Sequence, residues 1–453
     1  MDVADGVPLP QRYWAILTVA LGITLSVLDG AIANVALPTI ARDLHASPAA
    51  SIWVVNAYQL TIIISLLPLA SIGEIVGYAR VYRVGLVIFT LASFACAISH
   101  SLVELALARA MQGFGAAGLM SVSSALTRFI YPRQWLGRGI GLNAVAVAVA
   151  AATGPTVAAA ILSVASWPWL FAVNVPTGIA ALVAARALPR IAGVARRFDV
   201  ISAVLNGLTF GLLIIGIDGL GHGEGTIIVA AVFTASVIAG TTLVLRQLTG
   251  TSPLLPIDLL RRPIVALSVS TSVCSFVAQM TVYVSLPFYL QNVLGRTQVE
   301  TGLLMTPWPV AVGIVAPIAG RLGDRYPAGI LGGIGLAVFA TGLTLMALIP
   351  QPAASADIAW RMAVCGIGFG FFQSPNNRAI LTNAPRARSG AASGLLAMSR
   401  LLGQTIGAAF VAVIFNYAPA RANHVALVVG ASFAAVAAVV SFLRLMNRAA
   451  PVE

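Results

Sequence analysis

Apolar residues run along this chain in long, nearly unbroken stretches, and short segments that hold most of the arginines separate them. The stretches cover residues 13–37, 51–72, 82–99, 102–127, 139–163, 167–188, 200–218, 226–245, 264–292, 299–320, 328–349, 358–377, 390–416 and 424–445. Each is close to the length, about 20 residues, that a helix needs to cross the hydrocarbon of a bilayer. Polar and apolar positions do not alternate within them, which excludes the strands of a membrane barrel. A backbone in hydrocarbon must satisfy its own hydrogen bonds, so the pattern predicts fourteen transmembrane helices and an all-α membrane protein.

Composition agrees. Of 453 residues, 59% are hydrophobic and 9% charged, against about 25% charged in a soluble domain. The net charge is +12, and all 26 basic residues are arginine. Without lysine there is no Walker-type phosphate loop, and an ATP-driven pump is not expected. The arginines report topology and not nucleic-acid binding. If loops alternate sides, twenty arginines fall on one side and only Arg42, Arg296, Arg361 and Arg421 on the other. That asymmetry predicts both termini in the cytoplasm. Met1 to Pro10 lacks a cleavable leader, so the first helix is expected to serve as an uncleaved insertion signal. Cys96, Cys274 and Cys365 read as core residues, and His45, His100, His222 and His424 lie scattered in loops. No metal site is expected.

The chain repeats itself. Ile72-Gly73-Glu74 and Leu322-Gly323-Asp324 each end a helix with an acid on a short loop, 250 residues apart. Gly113-Phe114-Gly115 matches Gly366-Ile367-Gly368 at 253, and Arg138-Gly139 matches Arg388-Ser389-Gly390 at 250. The expected domains are a six-helix half at 13–188, an inserted helix pair at 199–246 and a second six-helix half at 263–446. Repeats of this size characterise secondary transporters, whose substrate site lies near the midplane.

One acid stands inside the first stretch: Asp29. A charge at that depth costs roughly 2.5–3.5 kcal/mol or more, which makes it a functional candidate. With the first helix ending near Pro38 and the fourth starting near Ser101, Asp29 and Arg109 both lie roughly 12–14 Å deep. They are expected to meet or to share a water-filled cavity. Burial favours the protonated acid and a nearby guanidinium favours the carboxylate, so Asp29 is the expected proton carrier and Arg109 its modulator. Arg400, deep in the thirteenth stretch, has no acid at its level in its own half, while Glu104 lies near the rim. Trp53, Asn56, Tyr58, Gln59, Asn143, Gln279, Tyr283, Trp308, Phe371, Gln373, Asn376 and Arg400 are candidates for a mostly apolar substrate pocket.

Several segments in this order resemble those of the major facilitator superfamily, specifically its fourteen-helix drug:proton antiporter family. They are Leu28-Asp29 through Ala36-Leu37-Pro38, the loop 70–83 and its second copy Gly320-Arg321-Leu322-Gly323-Asp324-Arg325, Arg109 to Gly115, Gly154-Pro155, and Trp167 to Pro176. The resemblance implies two pseudo-symmetric six-helix bundles with two extra central helices. It implies that Glu74 and Asp324 latch the cytoplasmic side, with Arg128, Arg138, Arg325 and Arg388 as partners, and that Gly154 and Pro155 form an antiporter motif. The expected function is proton-coupled efflux of lipophilic, cationic drugs or amphipathic compounds across a bacterial cytoplasmic membrane. The expected protein is a monomer with no cofactor, no nucleic-acid partner and no enzyme activity. An exporter of one organic anion or metabolite, and a non-transporting receptor or scaffold, are the alternatives.

Overall fold

The computed structural model describes residues 6–132, 135–189, 191, 193–194, 197–222, 225–249, 257–350, 353–384 and 389–445. They form helices α1 (Gln11–Asp43), α2 (Pro48–Ser51), α3 (Trp53–Val76), α4 (Tyr78–Ala97), α5 (Leu102–Ile130), α6 (Leu136–Leu162), α7 (Trp169–Ala172), α8 (Asn174–Ala184), α9 (Val200–His222), α10 (Thr226–Thr249), α11 (Ile257–Leu260), α12 (Pro263–Phe288), α13 (Gln298–Met305), α14 (Pro307–Leu322), α15 (Ala328–Ala347), α16 (Ser355–Thr382), α17 (Ser389–Tyr417) and α18 (Ala422–Leu443).

Eleven helices among the described residues are long and apolar enough to cross a membrane, and twelve if the bent α6 counts as one span. α5 and α16, at 29 and 28 residues, are not among them, because Arg109, Gln112 and a run of glycines and serines dilute one and Asp357, Arg361 and Arg378 the other. The first helix does not stop at Pro38. α1 continues through it to Asp43, because one missing N–H is tolerated where the remaining backbone bonds hold the helix together.

The chain divides into two compact units. The first holds residues 1–46, 53–212 and 234–254, and the second holds 47–52, 213–233 and 255–453. Within the first, α3, α4 and α8 pack around α1 and α5. Glycine permits the tightest contact: a Cβ at Gly113 would lie 2.4 Å from the Tyr58 carbonyl oxygen. Residues 200–212 and 234–249 attach here through Asn206, which donates to the Ile64 carbonyl at 3.0 Å, and through Ser236, which donates to Thr209 O at 2.7 Å.

The second unit repeats the device. A Cβ at Gly366 would lie 2.3 Å from the Trp308 carbonyl oxygen, with Trp308 250 positions after Tyr58 and Gly366 253 after Gly113. A Cβ at Gly115 or Gly368 would likewise lie 2.5 or 2.4 Å from the backbone nitrogen of Phe89 or Phe339. Trp308 fills the centre, edge-on to Phe339 at 5.1 Å and to Tyr283 at 5.3 Å. The end of α18 is anchored by Arg444, which donates to Asn376 Oδ1 at 2.7 Å and Ser268 Oγ at 3.1 Å.

Candidate functional site

The polar centre of the first unit is built on Asp29. Asp29 is 2% exposed, halfway along a helix whose other buried residues are apolar or neutral. Arg109 of α5, fully buried, donates from Nη1 to Oδ2 in an ion pair. Gln112, one turn on, donates from Nε2 to Oδ1 at 2.8 Å, and Asn174 at the start of α8 donates to the same oxygen at 2.7 Å. Gln112 also accepts from Arg109 Nη1 at 2.6 Å and donates to Ser93 Oγ at 2.9 Å. All three side chains present N–H donors to the carboxylate oxygens.

Arg109 is held from several sides. Its Nε donates to the Val54 carbonyl at 2.9 Å. The guanidinium carbon stands 4.1 Å from the centre of the Tyr58 ring and 5.4 Å from that of Phe171. Stacking between rings stabilises a cation away from water. Tyr58 is itself fixed, its hydroxyl donating to the Ser26 carbonyl at 2.7 Å. Nη2 has no hydrogen-bond partner among the described residues. All these partners belong to the first unit. A buried ion pair is repaid only where further hydrogen bonds satisfy both ions; among the described residues both carboxylate oxygens and the guanidinium Nε and Nη1 are met, while Nη2 is not.

The second unit keeps the backbone mould without the chemistry. Positions matching Arg109 and Gln112 at the offset of 253 set by Gly113 and Gly366 are Met362 and Cys365. Gln112 and Asn174 lie inside the segments Arg109 to Gly115 and Trp167 to Pro176, but neither is among the residues expected at the site. The available signal was an uncharged amide inside an apolar run, which asks for a buried partner.

Other expected residues fall differently. Asn56 and Gln59 are buried, and their side-chain carbonyl oxygens have no hydrogen-bond partner among the described residues. At i and i+3 they share one face of α3. Trp53 and Asn143 are half-buried, and Asn143 donates to Thr127 at 2.8 Å. In the second unit Gln279, Phe371, Gln373 and Arg400 are half-buried. Trp308 and Tyr283 pack in the aromatic core, and Asn376 is engaged with Arg444, Ser268 and Ser272.

Gly154 packs against α1, where a Cβ would lie 2.5 Å from that of Ala31. The helix bends by 44° between Val145–Ala151 and Thr153–Leu162, beside the Ala151 carbonyl that the Pro155 ring displaces.

Asp324 forms an ion pair with Arg378, both exposed, a partner not among those expected for the loop acids. Arg378 lies 250 positions after Arg128, so the repeat pointed to it. Arg325 is exposed, Arg138 stands 5.6 Å over the Trp135 ring, and Arg388 lies outside the described residues. Glu74 is exposed, and its backbone carbonyl accepts from Val194 N–H at 2.9 Å.

Residues 19–408 match the family model described as Major Facilitator Superfamily. The chain is 57% identical over 445 residues to the uncharacterized transporter YebQ of Escherichia coli (strain K12), covering 98% of this chain and 97% of that one. It is 28% identical over 410 residues to the riboflavin transporter RibZ of Clostridioides difficile (strain 630), covering 90% and 89%. It is 30% identical over 398 residues to the multidrug resistance protein Stp of Mycobacterium tuberculosis (strain CDC 1551 / Oshkosh), covering 86% and 74%. The chain therefore belongs to the Major Facilitator Superfamily, as a multi-pass membrane transporter and not an enzyme.

Proposed function

We propose that this protein exports lipophilic, amphipathic small molecules in exchange for protons. The observation that carries the reading is the buried Asp29–Arg109 pair with Gln112 and Asn174 on the same carboxylate. An acid kept inside the membrane, with a guanidinium that can stabilise its charge, is suited to loading and releasing a proton. Asp29 is the proton carrier and Arg109 holds its unloaded form. The likeness to the multidrug resistance protein Stp supports drug efflux.

Asp29 as a counter-charge for cationic drugs gains no support from the geometry, since both its oxygens are engaged and Arg109 already balances its charge. Asn56 and Gln59, with unmet acceptor oxygens, are the polar handles we assign to the substrate pocket. Trp53, Tyr58, Asn143, Gln279, Phe371, Gln373 and Arg400 remain pocket candidates.

The same reading includes fourteen spans, with α5, α6 and α16 crossing despite their polar residues. It includes an inserted pair at 199–246 between six-helix halves, and both termini in the cytoplasm of a bacterial cell. Glu74 and Asp324, together with Arg138, Arg325 and Arg388, gate the cytoplasmic side. Gly154 and Pro155 support close packing and a bend in α6.

The likeness to the riboflavin transporter RibZ favours a second reading, export of one specific metabolite. An efflux panel of cationic, neutral and anionic amphiphiles in cells lacking their own pumps separates the two. Resistance to several unrelated compounds supports multidrug export. Transport of a single compound class supports the second reading, and none at all opposes both.

A further inference from the structure

We propose that the second unit carries a separate binding site for an aromatic hydroxy-acid or a neutral molecule of the same build, at the meeting of α12, α17 and α18. A cavity of about 470 Å³ opens there, within the roughly 300–1,000 Å³ range of small-molecule sites. Phe288 and Phe415 form one wall, edge to face at 4.9 Å, and Met346 and Ile349 extend it. Three polar atoms on residues that border the cavity are buried without a hydrogen-bond partner among the described residues: Ser285 Oγ, Tyr289 Oη and Asn423 Oδ1. Buried polar groups are nearly always satisfied. Three orphans around one cavity indicate partners supplied by a guest.

The backbone is also unusual at this wall. Residues Tyr289–Val293 form a π-helical turn, and Leu294 N–H reaches back to the Tyr289 carbonyl at 3.1 Å. Such turns occur frequently at functional sites. The hydroxyls of Ser285 and Tyr289 can donate or accept, and Asn423 Oδ1 accepts. Arg421 and His424 border the opening, and among the described residues no Asp or Glu does. The lining thus favours an acid or a neutral compound over a cation. None of this involves Asp29, so the site stands apart from the coupling reading.

The test is equilibrium dialysis of the full chain in lipid nanodiscs against 1-naphthol-4-sulfonate, with empty nanodiscs as the baseline. Saturable binding of one molecule per chain is expected. Arg421→Gln and Tyr289→Phe should each weaken it by about fivefold or more, the loss of one good hydrogen bond. Tyr289→Phe should at the same time raise the melting temperature of the ligand-free protein, since it deletes an orphaned hydroxyl, which separates lost binding from lost folding. No saturable excess over empty nanodiscs, affinity unchanged in both variants, or displacement by tetraphenylphosphonium would each overturn the proposal.

Discussion

Asn174 and Gln112 donate to the same oxygen of Asp29, at 2.7 and 2.8 Å, and leave the other oxygen to Arg109. The two amides come from different helices, so the carboxylate ties α8 and α5 to α1. A group that holds three helices by its charge also reports to all three when the charge is lost.

Asn174→Ala removes one of the two amide donors to Asp29 Oδ1 and with it the tie between α8 and α1. Gradient-driven transport per folded molecule should fall severalfold. Transport at the parent's rate, in protein present at the normal level, would show that Asn174 only packs.

Arg109→Ala leaves a buried carboxylate without its partner, a loss of about 3–5 kcal/mol. The purified variant should melt at a clearly lower temperature. Adding Asp29→Asn removes the stranded charge and should recover much of the loss. If the double variant is no more stable than the single, charge is not the cause.

Gly113→Ala and Gly366→Ala each force a Cβ into a facing carbonyl, at a cost of about 1–3 kcal/mol for overpacking. Thermal melts should show similar losses. Only Gly113 abuts Tyr58, whose ring covers Arg109, so Gly113→Ala should also reduce transport per folded molecule. Equal specific transport in both variants would mean that the Tyr58–Arg109 stack is not needed for coupling.

Asp199, at the start of α9, tests the surface electrostatics. Desolvation pushes its carboxyl up, but bonds from Ser202 and the Arg246 guanidinium at 3.1 Å outweigh it and hold the group below the usual aspartate range. Its folded-state value is depressed, so its contribution is present above the unfolded value and fades as pH falls through the folded one. Asp199→Asn should lower the melting temperature slightly at pH 7 and leave it unchanged in strong acid. The opposite order would contradict the sign.

Much of the fold was legible because hydrocarbon imposes simple rules: length, apolarity and the repeat of 250 to 253 residues gave the helices and the matched glycine contacts. The Asp29–Arg109 pair was also legible, though by a faulty endpoint. Measured to Asp43, Asp29 lies roughly 21 Å from the helix end, deeper than the arithmetic from Pro38 allowed. What stayed hidden were facings. Nothing in the composition of α14 tells that Trp308 points into a cluster of phenylalanines, or that Gln112 and Asn174 turn toward Asp29. A neutral amide gives no charge signal, and one turn of helix decides whether it meets a partner.

The central claim is that Asp29 carries the proton. It is tested most directly in proteoliposomes with a compound identified in the efflux panel, comparing uptake driven by a pH gradient with exchange of labelled for unlabelled compound at equal pH. The account predicts that Asp29→Asn abolishes gradient-driven uptake and keeps the exchange. Gradient-driven uptake at the parent's rate in that variant would contradict it.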